Sequence, residues 1–240
     1  MTNKTEINNK DINSYDFQAG EVLLLDKPYG WTSFDVVRKV RYAIKKKLGV
    51  KKIKVGHAGT LDPLATGLLI LCTGRKTKEI SVHQDGRKTY TGTITLGATR
   101  PSFDMETEID KTFEIDHIDN ELLMKAKESL TGEYLQTPPI FSAKRIDGKR
   151  AYDLARKGAD VKMNRNLITV HSFEITRVEL PEIDFEIVSS KGTYIRSIAN
   201  DFGVAVNSGA YLSALRRTQS GDYNVDQAID VKQFTSYLLD

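Results

Sequence analysis

Apolar positions along this chain recur with two different periods. Val22-Leu23-Leu24-Leu25, opened by Glu21, is a short unbroken run that predicts a buried strand, and Asp26 to Ser33 follows as a turn segment ending in helix-capping residues. From Phe34 the spacing changes: Val37, Val40, Ile44 and Leu48 recur at helical intervals, and Gly49 supplies a stop. Leu68 to Thr73 predicts a second buried strand and Gly74 to His83 a short helix. Lys88 to Gly97 alternates cleanly, with Tyr90, Gly92, Ile94 and Leu96 on one face and Thr89, Thr91, Thr93 and Thr95 on the other.

Ala98 to Asp116 is acidic and irregular and reads as a long loop. Asp119 caps a predicted helix carrying Leu122, Leu123, Ala126 and Leu130, with Gly132 as its end. Tyr134 to Arg150, interrupted by Pro138-Pro139, reads as an exposed, partly ordered loop, and Ala151 to Lys157 as a short helix ended by Gly158. Strands are predicted over Ile168 to Leu180, Ile183 to Ser189 and Ala210 to Thr218. Between the last two lies a helix whose apolar face is Ile195, Ile198, Phe202 and Val206, and Val225 to Asp240 suits one or two short helices. Strands outnumber helices and hairpin-like neighbours abound, so the expected architecture is a single α+β domain over 21–240 with a mixed or mostly antiparallel sheet flanked by helices and loops. Residues 1–20, rich in Asn, Asp and Lys, are expected to be a disordered tail.

Composition narrows the class. With 240 residues, 40% hydrophobic and 28% charged, the chain suits a soluble globular protein, and its apolar runs fall far short of the ~18 residues that a membrane span requires. The single cysteine, Cys72, excludes an internal disulfide and points to a reducing compartment, the cytoplasm. The four histidines are scattered, so no metal site is expected. The net charge is only +3, but Arg38 to Lys54 holds nine Lys or Arg residues, Lys45, Lys46 and Lys47 among them, and no acid. A run that one-sided favours a polyanion surface over a merely solvated face. A second basic cluster comprises Lys144, Arg145, Lys149 and Arg150.

Phosphate-binding glycine motifs and the nucleophile elbow of serine hydrolases are absent. What remains is one carboxylate, Asp62, in a stiff loop of glycines, small residues and Pro63, between His57 and the Leu68 strand. Taken alone, an Asp before Pro is more often a turn or cap residue than a catalyst.

Several stretches together resemble the TruB-type tRNA pseudouridine synthases, which convert uridine 55 of the TΨC loop to pseudouridine. They are Leu-Leu-Asp-Lys-Pro-Tyr-Gly-Trp-Thr-Ser at 24–33, Gly56 to Leu69, Tyr90 to Gly97, Gln136-Thr137-Pro138-Pro139 with Ser142-Ala143, Gly148 to Tyr152, Lys191 to Arg196, and Leu215-Arg216-Arg217. The resemblance runs colinearly over most of residues 21–221 and implies the pseudouridine synthase fold, with an insert at about 98–160. It implies that Asp62 is the catalytic aspartate, that Tyr90 stacks on the flipped uracil, and that Tyr194 and Arg196 lie near the base and the aspartate. His57 then contacts the T loop, Leu215 lines the pocket, and Lys27 and Pro28 serve a mainly structural motif. No cofactor is implied, since moving uracil from N1 to C5 attachment involves no net redox change. The partner implied is the T arm of tRNA, bound by a monomer.

A carboxylate suffices as the chemical group, as a nucleophile at C1′ or at C6 or as a base acting on the sugar. An arginine beside it, for which Arg196 is the candidate, would lower its pKa, and Tyr194 is a candidate to relay the C5 proton. Only about twenty residues follow Gly221, too few for the C-terminal RNA-binding PUA domain usual in bacterial members, so none is expected. Ser102 to Thr107 departs from the commoner Asp-x-x-Gly pattern while keeping Asp104, and Ser190 replaces a common cysteine. Rival readings are a non-catalytic tRNA-folding chaperone and a synthase of the same fold acting on another RNA.

Overall fold

In a computed structural model of the chain, residues 6–7, 10–142, 145–146, 149–150 and 163–239 are described. In chain order the main elements are β1 (Val22–Lys27), α1 (Ser33–Leu48), β2 (Val55–His57), β3 (Thr66–Thr73), β4 (Lys88–Leu96), α2 (Asn120–Ser129), β5 (Gly132–Gln136), β6 (Asn166–Glu179), β7 (Glu182–Ser189), α3 (Ile195–Ala205), β8 (Ala210–Ser220), β9 (Ile229–Asp230) and α4 (Val231–Leu239). The fold is α+β. The chain forms two compact units, Met1–Thr89 with Arg216–Asp240, and Tyr90–Leu215, so the boundary is crossed inside β4 and again inside β8.

In the first unit β3 is central. It pairs antiparallel with β1, Leu23 opposite Leu71 and Leu25 opposite Leu69, and antiparallel with β2. It pairs parallel with β8, Arg217 opposite Gly67, and β9 joins β1 in parallel. The unbroken apolar runs of β1 and β3 follow from burial on both faces. Leu23, Leu25, Leu69 and Leu71 belong to one core with Val36, Val40, Ile44, Phe234 and Leu238, while Leu24, Leu68, Ile70 and Ala58 form another.

Helix α1 begins and ends where local signals place it. The Thr32 hydroxyl accepts from the Asp35 amide at 3.0 Å and the Asp35 carboxylate accepts from the Thr32 amide at 3.1 Å, a capping box, and Gly49 closes the C-terminus. Val37, Val40 and Ile44 are buried as predicted, whereas Leu48 in the last turn is exposed.

The described part of the N-terminal segment corrects the expected tail. Ile12, Tyr15 and Phe17 are buried in the same core as α1, and the Tyr15 and Phe17 rings stack with centroids 5.5 Å apart. Two aromatics in a polar stretch bury enough apolar surface to hold it down, which an average over twenty residues conceals.

In the second unit β6 pairs antiparallel with β7, Phe173 opposite Ile187, and antiparallel with β5, Asn166 opposite Gln136; β4 neighbours β7. Helix α3 covers this sheet through Phe202, whose ring lies 5.6 Å from that of Phe173. The alternation predicted for β4 holds: Tyr90, Ile94 and Leu96 are buried and the threonines less so. Two expectations are corrected here. α2 stops at Ser129, and Gly132 opens strand β5 where a loop is predicted; the irregular 98–116 segment carries a two-stranded ribbon, Ala98–Thr99 with Lys111–Thr112. The helix predicted over Ala151 to Lys157 lies outside the described residues, as does Lys144.

At the C-terminus a 3-10 turn, Val225–Gln227, precedes β9 and α4. No helix among the described residues is long and apolar enough to cross a membrane.

Candidate active site

Asp62 sits half-buried in the loop between β2 and β3, and the backbone on both sides of it is tied down. Asp62 and Pro63 open a turn closed by the Ala65 amide donating to the Asp62 carbonyl at 3.1 Å, with proline in the position that its fixed φ favours. One residue before, the buried Ser33 hydroxyl donates to the Leu61 carbonyl at 3.0 Å and accepts from the Leu61 amide at 2.8 Å. One residue after, the Pro63 carbonyl accepts from the Gly30 amide at 2.9 Å and from Lys27 Nζ at 3.2 Å. The stiffness read from Gly and Pro is thus reinforced by contacts from the β1–α1 turn.

Lys27 is 0% exposed, and its ammonium also donates to the Trp31 carbonyl at 2.6 Å and the Pro28 carbonyl at 3.0 Å. Burial pushes its pKa down to about 8, against the field of Asp62, which raises it, and with that of Arg217, which lowers it further. Lys27 is thus a buried cation that gathers three carbonyls, those of Pro28, Trp31 and Pro63.

His57 lies at the end of β2, opposite Leu71. Burial first and Arg217 second hold its pKa below the usual histidine value, so the imidazole is neutral at pH 7.

The second unit carries the remaining candidates. Tyr90 and Leu215 are its first and last residues; the Tyr90 side chain is buried and Leu215 is half-buried. Tyr194 is the N-cap residue of α3, and its backbone is gripped at both ends by the buried Gln136 amide, which accepts from the Tyr194 N–H at 2.8 Å and donates to the Tyr194 carbonyl at 3.0 Å. Arg196, 4% exposed, donates to the Ser102 carbonyl at 3.0 Å and the Phe141 carbonyl at 2.8 Å, and its Nε lies 3.6 Å from the carboxylate of Asp104. Asp104 is buried too and accepts from the Glu106 amide at 3.0 Å. The loop that departs from the family pattern at Ser102 to Thr107 therefore supplies a carboxylate and a carbonyl to Arg196.

Lys45, Lys46 and Lys47 form the last turn of α1, where cations also suit the helix dipole. Lys46 lies 5.9 Å from the centroid of the exposed Tyr42 ring. Lys52 and Lys54, further along the same basic run, join Arg75 and Lys78 around an open cavity of about 380 Å³. Arg145 and Lys149–Arg150 lie on a small ribbon, Arg145 opposite Arg150.

Four residues that brace the candidates within their own units are not singled out for this role by the sequence: Ser33 and Arg217 in the first unit, Asp104 and Gln136 in the second. Arg217 is fully buried; its Nε donates to the Leu68 carbonyl at 2.8 Å and its Nη2 to the Gly59 carbonyl at 3.2 Å. The one signal for it is its place in Leu215-Arg216-Arg217, in the second half of β8.

Among the described residues no group of three or more His, Cys, Asp or Glu could hold a metal ion. The chemistry on offer is that of a carboxylate in a rigid loop, a neutral imidazole, tyrosines and guanidinium groups.

Residues 45–195 match the TruB family pseudouridylate synthase N-terminal domain. A protein of Flavobacterium johnsoniae named tRNA pseudouridine synthase B is 54% identical over 93% of this chain and 98% of its own length; its namesake from Phocaeicola vulgatus is 53% identical over 93% and 95%. Among solved structures, a chain of a Cbf5-Nop10-Gar1 complex superposes with TM-score 0.68 at 28% identity, over 92% of this chain and 55% of that one. A chain of an H/ACA RNP bound to a substrate RNA containing 2′-deoxyuridine superposes with TM-score 0.64 at 26% identity, over 92% and 54%. The chain thus spans about half the length of those two solved chains. With the family domain matched over more than half its length and relatives of over 50% identity along nearly all of it, the chain belongs to the TruB family of pseudouridylate synthases, which are isomerases.

Proposed function

We propose that this chain isomerises uridine 55 in the T arm of tRNA to pseudouridine, with Asp62 as the catalytic group. The observation that carries the reading is the braced Asp62 loop, with Leu61 held by Ser33 at the start of α1 and Pro63 by Lys27 at the end of β1, in a chain 54% and 53% identical over 93% of its length to two proteins named tRNA pseudouridine synthase B. The reaction breaks the N1–C1′ bond, turns the uracil within the site, forms a C5–C1′ bond and releases the C5 proton. The ionised Asp62 carboxylate acts at the sugar or at C6, as nucleophile or as base. Turning the base out of the loop costs a few kcal/mol, and stacking on Tyr90 returns about 1–3 kcal/mol. Arg196 and Tyr194 work next to the base, Tyr194 as the relay for the C5 proton, while His57 and Leu215 contact the T loop and line the pocket.

Tritium release tests the whole reading, because forming the C5–C1′ bond requires the C5 hydrogen to leave. A [5-³H]uridine-labelled tRNA transcript is expected to release tritium, and the same transcript with cytidine at position 55 is not. Equal release from both would move the target elsewhere, and tight binding without release would favour the chaperone reading.

The basic run supplies the sequence-independent share of affinity. Changing Lys45, Lys46 and Lys47 to Ala is expected to weaken tRNA binding and to flatten the plot of log K against log salt by roughly 0.9 for each phosphate no longer neutralised. Filter binding at several salt concentrations measures it, and an unchanged slope would return these lysines to a solvated helix end.

A further inference from the structure

We infer that Arg217 is the positioning residue for Asp62: it fixes the catalytic loop by holding its two ends together, an inference that rests on the catalytic reading of Asp62. The loop leaves β2 after His57 and enters β3 at Thr66. Gly59 lies three residues before Asp62 and Leu68 six after, and one guanidinium donates to the carbonyls of both, at 3.2 Å and 2.8 Å. Two N–H groups in a rigid planar fork fix the separation of their two acceptors, which an ammonium on a flexible stem does not do.

Arg217 cannot shift to follow the loop. It lies opposite Gly67 in the parallel pairing of β8 with β3, and a Cβ on Gly67 would sit 2.3 Å from the Arg217 carbonyl oxygen. Gly67 also has φ +100°, a region that other residues rarely adopt. The strand and the loop are therefore pressed together at the residue that carries the fork.

Burying a guanidinium is costly unless its donors are satisfied, and leucine or methionine would fill the same volume at less cost. Both of these acceptors belong to the segment that carries the catalytic carboxylate. A purely structural cation would serve equally well on any neighbouring carbonyls.

The experiment compares wild type, Arg217→Lys and Arg217→Ala in single-turnover tritium release, in tRNA binding and in amide hydrogen exchange of peptides spanning 56–68. A misplacement of order 1 Å at a reacting group costs about 10²-fold in rate, so both variants are expected to lose about 10²-fold in the single-turnover rate. Their Kd for tRNA is expected to stay within about twofold, because the lesion is in the loop's geometry and not in phosphate contacts. Exchange over 56–68 is expected to quicken in both while α1 peptides keep wild-type protection. In Arg217→Ala, added ethylguanidine is expected to restore rate and protection together, and ethylammonium to restore neither.

A folded variant that keeps a rate within about threefold of wild type, or that loses only tRNA affinity, overturns the inference. So does faster exchange spread over the whole first unit. If Arg217→Ala fails to fold, Arg217→Lys decides by the same criteria. Should wild type itself release no tritium, the catalytic reading has failed, and the exchange pattern over 56–68 still decides whether Arg217 fixes the loop.

Discussion

Asp62→Asn is expected to lower single-turnover tritium release by about 10³-fold or more, with the melting temperature and the affinity for tRNA close to wild type. An amide of the same size keeps the loop's shape but removes the anion, and it serves neither as a base nor as a competent nucleophile; loss of such a group typically costs about 10²–10⁴-fold. The loop's backbone should hold because the bonds from Ser33 to Leu61, from Lys27 and Gly30 to Pro63 and from Arg217 to Gly59 and Leu68 are all made to backbone groups, and an amide of equal size keeps the side chain's volume and acceptor oxygen. Circular dichroism melting and filter binding check the two unchanged quantities. A wild-type rate in Asp62→Asn would remove Asp62 from the chemistry.

Arg196→Met is expected to destabilise the protein by about 3–5 kcal/mol, the usual cost of removing one partner of a buried ion pair. The Asp104 carboxyl group, 5% exposed, would be left without the guanidinium 3.6 Å away, and the Ser102 and Phe141 carbonyls would lose the Arg196 donors. For a chain of this size that corresponds to a fall of about 10 °C in melting temperature. The double variant Asp104→Asn/Arg196→Met should be more stable than the sum of the two single changes by about 0.5–3 kcal/mol, since no uncompensated charge is left. Urea denaturation of the four proteins closes the cycle. Additivity within about 0.3 kcal/mol would mean that the two groups do not sense each other.

These predictions differ in how far they can be read from the chain. That Asp62 stands in a stiff turn follows from Gly, Pro and small residues within a dozen positions, and the chemical role proposed for it rests on motif resemblance. That Arg196 depends on Asp104 does not follow, because the two are separated by most of the second unit and their pairing is made by the Ser102 to Thr107 loop folding against α3. The sequence reading sets Arg196 beside Asp62 and is silent on Asp104, whose carboxylate lies 3.6 Å from the Arg196 Nε.

Errors in the fold have the same character. β5 escapes prediction because Gly132 is an ordinary helix terminator and Pro138-Pro139 nearby argues for a loop; its five residues become a strand only because β6 offers them an edge. The N-terminal segment reads as a tail from its average composition, yet Tyr15 and Phe17 find a core built by α1 and α4. In both places a weak local preference is overruled by a partner far along the chain.

The features legible in the chain alone are those that short-range physics governs. The capping box and Gly49 bound α1, the apolar runs made β1 and β3 strands buried on both faces, alternation set the buried face of β4, and Gly-Thr-Leu-Asp-Pro made a rigid loop. Which buried polar groups answer one another is settled by packing: Lys27 with Pro63, Gln136 with Tyr194, Asp104 with Arg196, and Arg217 with Gly59, 158 positions away. The reason is physical: a donor removed from water must find an acceptor, and which one it finds depends on the chains that packing brings alongside it.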